Sequence, residues 1–501
     1  MKKMAQFILV LFFLLSSTLC FSASTDYKVT DDGTVYSYDL ITKGPWIDAR
    51  AYPTLAAANA AAYDAGKALL ISQNHILTAN TTLTASVTMI KGGQFTKAPT
   101  YTLTINGPFS AGLYQVFSGF SPGDVTFGAG SVKEVYPEWW LTNAIPGRTN
   151  MTTAVQSALT AGIGKIVRLL DTAYLVDKLT FPNKTHIIGS FMNGGSILKG
   201  RSAGQEYILA NSDDSDNYFM IENVEFDGNG LSYAYAPLMI QGCSAGSKIS
   251  NVIVFNYAGG EAGILLGPGY AAGDGITGLT LDNVWINAAG NNVKGVKVTS
   301  TNGTWTNIDM IGITFNKLTI SSTGKEPGLY FLASSEGCNR GHMIREFYFE
   351  SAGTGYPIQL EGCCHSTFDH IQVNSQCPTY VIQIANNSVA AKKSYGNIFK
   401  KIMTTGGSAI TNFINDQHTG TVTEGPGTGG LSEYIQGFDA YTHNSHFSNI
   451  YPSKDNTYYL GKNDDDTPFA WKGIILKDQT NGKYYRLELN DGALSIVDLT
   501  D

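Results

Sequence analysis

Two carboxylates stand two residues apart at Glu225 and Asp227, inside the segment IENVEFDGNG. On an extended strand alternate side chains share a face, so their Cβ atoms lie about 7 Å apart. That is near the separation at which an inverting glycosidase holds its general acid and general base. Tyr348 and Glu350 repeat the spacing, as do Trp285 and Asn287. Trp and Tyr offer flat faces to sugar rings, while carboxylates and amides hydrogen-bond hydroxyls. Glu225 and Asp227 are therefore candidate catalytic groups, and Trp285, Asn287, Tyr348, Glu350 and Gln372 candidate substrate contacts. Outward residues of any half-solvated sheet are polar, so the assignment depends on the elements that carry these residues.

Those elements repeat. The pattern apolar, any, polar, apolar, any, apolar reads IENVEF at Ile221–Phe226, ISNVIV at Ile249–Val254 and LDNVWI at Leu281–Ile286. It continues as FNKLTI, IREFYF, FDHIQV and FKKIMT. Its third position holds Asn223, Asn251, Asn283, Lys317, Glu346, His370 and Lys401, at steps of 28, 32, 34, 29, 24 and 31. Such steps over seven copies mark a solenoid whose units bury their apolar sides only by stacking. A second alternation follows most copies, as in GILL at Gly263–Leu266 and GLYF at Gly328–Phe331. Period-2 alternation in short pieces between Gly, Asn, Ser and Asp means short strands joined by turns. The fold class is thus all-β, a right-handed single-stranded parallel β-helix. Asn at the bends suits it, because Asn tolerates the left-handed backbone region. Stacking in register predicts two outward columns. One is Glu225, Ile253, Trp285, Thr319, Tyr348, Gln372 and Met403; the other is Asp227, Phe255, Asn287, Ser321, Glu350, Asn374 and Thr405.

SVKEVYPEWW at Ser131–Trp140, followed by an Ala-rich helix and an alternating strand, resembles the start of the pectate-lyase-like parallel β-helix superfamily, which includes secreted bacterial proteins and tailspike-type depolymerases. FDGNG at Phe226–Gly230 resembles a coil ending of that family. The resemblance covers most of Ser131–Asn412 and implies the fold, with a polysaccharide as partner. Many relatives have an acidic stretch after the tryptophan; here LTNAIPGRTNM, Leu141–Met151, contains no acid. The Asp and Gly-His-Gly motifs of polygalacturonases do not occur.

The remaining chain divides as follows. Residues 1–24 read as a secretory signal peptide, with Lys2 and Lys3, an apolar run over Phe7–Leu15 and small residues at Ser22–Ser24; they predict a secreted or cell-surface protein. Residues 25–140 read as a β-rich section with a helix over Thr54–Gly66, and 141–415 as the β-helix, opened by a helix over Thr152–Gly162. Each helix would cover the open end of a strand stack. Residues 416–449 read as a linker or end loop, and 450–501 as a small β module with hairpin turns at Asn481-Gly482 and Asp491-Gly492, a place for homo-oligomer contacts. A net charge of −8 disfavours nucleic acid, and no later apolar run is long enough for a membrane span. The 55 glycines among 501 residues suit a chain of many turns, since average usage of about 7 % gives about 35. Cys338 and Cys363 lie one coil apart, but the favoured reading is buried free thiols. No cofactor is expected; Asn463-Asp464-Asp465-Asp466 offers at most a weak Ca²⁺ site. Two functions follow: an exported carbohydrate-binding or polysaccharide-processing protein, or a non-catalytic stalk or adhesin.

Overall fold

The computed structural model describes residues 44–405 apart from residue 99 and short loop stretches, the longest being 386–393. It also describes the strand segments 26–29, 35–38, 414–416, 474–477, 484–490 and 493–498. The proposed signal peptide, Cys377 and Asn463–Asp466 lie outside the described residues. The chain forms two compact units, divided between His446 and Phe447.

Unit one is a parallel β-helix. Its largest sheet has 14 strands and a neighbouring one has nine. The repeats become the strands Phe219–Glu222 and Val224–Ser232, then Lys248–Gly259, Thr280–Ala288, Met343–Ser351, Thr367–Asn374 and Ile398–Thr405. Thr314–Phe315 and Leu318–Ser322 form a split copy between Thr280–Ala288 and Met343–Ser351. The second alternation gives the nine-stranded sheet, with Leu238–Ile240, Ala262–Leu266, Lys294–Thr299, Leu329–Leu332, Ile358–Glu361 and Ile382–Ile384 in successive parallel pairs. Inward residues Phe226, Val254, Ile286, Ile320, Phe349 and Val373 are buried in one continuous core.

Corners are set by residues that accept positive φ. Asn223, Asn251 and Asn283 take φ of 57°, 52° and 53°. Their side chains run coil to coil: Asn251 Nδ2 donates to Asn223 Oδ1 at 3.0 Å and Asn283 Nδ2 to Asn251 Oδ1 at 2.8 Å. Another corner stacks Gly278, Gly312, Gly341 and His365 at φ of 67°, 66°, 68° and 51°. A β-carbon is disfavoured there, and His365 is the one side chain in that stack.

Coils begin well before residue 141. Strands at Thr81–Leu83, Leu103–Ile105 and Val125–Phe127 pair in parallel at steps of 22 residues, from Thr81 to Leu103 and Leu103 to Val125. Two further three- and four-stranded parallel sheets close this narrower coil. Helix α1, Leu55–Asp64, is capped by Thr54, whose Oγ1 accepts from Ala57 N–H at 3.1 Å. From its buried face Asn59 Oδ1 accepts from Thr84 N–H at 2.9 Å and Ala85 N–H at 3.0 Å. Helix α2, Thr152–Ala161, buries Ala154, Val155, Ala158 and Leu159. Its Gln156 exchanges hydrogen bonds with the Thr180 backbone at 2.6 and 2.8 Å. YPEWW fills the junction: Trp139 packs on Phe109 and Phe127, and its Nε1 donates to Gly112 O at 3.1 Å.

Cys243 and Cys363 are buried free thiols, and Cys364 is buried with its Sγ donating to Asn339 O at 3.5 Å. Opposite Cys363 stands Asn339, not Cys338. Unit two carries an antiparallel meander of Ile474–Lys477, Tyr484–Asn490 and Ala493–Asp498. Asn490 pairs with Ala493 at the end of the second antiparallel pair, and the predicted turns at Asn481-Gly482 and Asp491-Gly492 lie outside the described residues.

Candidate functional site

The two columns form on the strands that follow the Asn corner. Register runs Glu225–Ile253–Trp285–Thr319–Tyr348–Gln372–Met403 through successive parallel pairs. The same pairs align Asp227, Phe255, Asn287, Ser321, Glu350, Asn374 and Thr405. Because Phe226, Val254, Ile286, Ile320, Phe349 and Val373 turn inward between them, the alternation holds on these six coils.

The face is unequally open. Glu225 is 4 % and Asp227 9 % exposed. The Glu225 carboxylate accepts from Gly194 N–H and, at 3.4 Å, from Gly195 N–H. Asp227 Oδ1 accepts from Asn229 N–H at 2.7 Å and Asn256 Nδ2 at 2.8 Å, and Lys199 Nζ lies 3.7 Å from its other oxygen. Both carboxylates are thus shielded and engaged: one binds a neighbouring segment, the other ties two turns. Ile253, one coil on, is also buried.

Beyond it the face opens. Trp285, Asn287, Tyr348 and Gln372 are partly exposed and Glu350 is exposed. Asn374 Nδ2 donates to Tyr348 Oη at 3.1 Å, which fixes the ring across two coils. The indole N–H of Trp285 is shielded and has no acceptor among the described residues. The structure brings these five residues onto one surface, with Trp285, Tyr348 and Gln372 along one line and Asn287 and Glu350 along the other. Coils rise about 4.8 Å each, so Trp285 to Gln372 covers about 14 Å.

Other polar groups escaped the sequence reading. On the nine-stranded sheet Lys297, Tyr330, Gln359 and Gln383 stack outward. Lys297 Nζ meets Glu261 at 2.5 Å and Lys294 Nζ meets Glu326 at 2.7 Å. Burial, then the Glu361 carboxylate beside it, pushes the Tyr330 phenol up. The ions of this cluster are mutually paired. Its signal was the Lys and Tyr at the alternate positions of GVKV and GLYF. Elsewhere Glu222 bridges His186 Nε2 at 3.1 Å and Ser250 Oγ at 3.2 Å. Since the carboxylate, not the imidazole, occupies the middle, the three do not stand in the serine–histidine–acid order of a catalytic triad. His370 holds the bend register between Glu346 and Lys401, with its Nε2 3.3 Å from Met403 Sδ. Among the described residues no three His, Cys, Asp or Glu side chains group as metal ligands. No helix among them is long and apolar enough to cross a membrane.

No protein-family model and no curated protein matches this chain. Among solved structures it is similar to ORF18 of Geobacillus virus E2, at 13 % identity and a TM-score of 0.34, covering 74 % of this chain and 86 % of that one. It is also similar to the enzymatically active domain of bacteriophage CBA120 tailspike protein 2, at 14 % identity and a TM-score of 0.31, over 57 % of this chain and 43 % of that one. The receptor-binding domain of the siphovirus 9NA tailspike matches at 8 % identity and a TM-score of 0.24, over 95 % and 90 %.

Proposed function

We propose that this is an exported β-helix protein that holds a polysaccharide on its outward face without cleaving it. The observation carrying the reading is the register-aligned set Trp285, Tyr348 and Gln372 beside Asn287, Ser321 and Glu350. Flat apolar faces two coils apart suit sugar rings, and the amides and carboxylate beside them suit hydroxyls. The partners of Glu225 and Asp227 favour holding over hydrolysis, because a general acid must reach the glycosidic oxygen. Glycan-array screening followed by calorimetry tests this. Wild type binds at least one glycan, Trp285→Ala and Tyr348→Ala each weaken it about tenfold, some 1.4 kcal/mol, and no new reducing ends form. Unchanged affinity in both variants overturns the reading.

Export through residues 1–24 and self-association through the meander belong to the same proposal. Mass analysis of the secreted chain tests the first. Light scattering with and without residues 450–501 tests the second, and equal protomer number in both forms rejects it.

A further inference from the structure

The face is walled at one end. Between strands Thr185–Ile188 and Ser196–Gly200, residues 190–195 cross the coils. Gly194 and Gly195 N–H donate to Glu225. Two coils further on, Asn283 Nδ2 contacts Met192 Sδ at 3.4 Å. The base of the segment is pinned: Ser196 Oγ accepts from Ser190 N–H at 2.9 Å and donates to Leu170 O at 2.7 Å. Its turn is specified by residue type. Asn193 and Gly194 take φ of 72° and 92°, and a β-carbon on Gly195 would stand 2.3 Å from Phe191 O. On the coils it crosses, Glu225 and Ile253 are 4 % and 5 % exposed, and on the next coil Trp285 is partly exposed with its indole N–H still shielded.

Across the strands the face is only two outward residues wide, about 7 Å, against about 14 Å along the columns. A glycan chain therefore lies along the columns, and its path is stopped at the wall. Building on the sugar-face reading, we propose that residues 190–195 are an end-stop and that the site takes the terminus of a glycan chain. The terminal sugar sits against the wall at Trp285 and the following ones run over Thr319, Tyr348 and Gln372. Glu225 is then a positioning residue that holds the wall.

The test uses the full chain and short linear oligosaccharides. Each is immobilised through its reducing end, through its non-reducing end, and through both. Wild type is expected to bind one singly tethered form and to bind the doubly tethered form at least about tenfold more weakly. A variant with residues 191–194 replaced by a minimal Gly-Ser turn is expected to narrow that gap to about twofold. Equal binding of singly and doubly tethered chains by wild type overturns the end-stop alone, whether or not the variant folds. Absence of binding to every form overturns the sugar-face reading beneath it.

Discussion

Asn251 meets two demands with one side chain. It accepts a left-handed φ of 52°, and its amide both donates to Asn223 and accepts from Asn283. Alanine incurs a left-handed strain of about 1–2 kcal/mol that asparagine tolerates, and loses two hydrogen bonds worth about 1 kcal/mol each. Asn251→Ala should therefore destabilise the coil by about 3 kcal/mol in denaturant unfolding, and Asn251→Gly by about 2 kcal/mol, since glycine removes only the bonds. Equal losses would show that backbone conformation is not the selected property. Buried titrating groups act in opposite directions. Burial lowers His342 from 6.5 to about 3; its Nδ1 accepts from Ile313 N–H at 3.2 Å and its ring stacks on Phe331. Below pH 6.5 the unfolded chain gains a proton the folded one refuses, so stability falls as pH drops toward 3. Burial raises Glu138, although a hydrogen bond from Tyr174 at 2.7 Å opposes the shift. Its contribution is full below pH 4.5 and declines as pH rises through the folded pKa. Melting curves against pH should flatten on the acid side in His342→Phe and lose the Glu138 decline in Glu138→Gln.

At the scale of elements, the helices matter because a parallel stack has a raw end of unpaired backbone groups. Helix α1 covers one, and Asn59 is the side chain that satisfies the turn amides of Thr84 and Ala85. Asn59→Ala should loosen that end by about 2 kcal/mol. Hydrogen exchange would speed up at residues 55–64 and 81–85 and stay unchanged at 280–288; uniform acceleration would mean the cap is not local. The repeated strands were legible because Asn, apolar alternation and step length agreed copy after copy. The narrower coils of residues 68–127 are less legible: the sequence shows the helix that opens a strand stack and several of its strands, but not the 22-residue step. Their strands are two to four residues long, and no corner residue repeats as Asn does later. Glu225 and Asp227 were placed on the right face, but the segment that shields Glu225 lies about 30 residues earlier.

For the molecule as a whole, the core runs continuously through the β-helix from Ile47 to Ile402, while residues 447–501 form a separate unit. A chain ending at His446 should keep its β-sheet circular dichroism and melt within about 2 °C of full length, as the solenoid is stabilised by neighbouring coils alone. A large drop would make the second unit part of the solenoid's stability. The amino-acid sequence by itself determined the coil, its register and the membership of both columns, because alternation and corner conformation are properties of a few adjacent residues. Only the tertiary structure decided which outward residues meet solvent. A wall built by residues 190–195 crosses coils that lie up to 91 positions away along the chain, and such long-range contact leaves no periodic trace in the residues it covers.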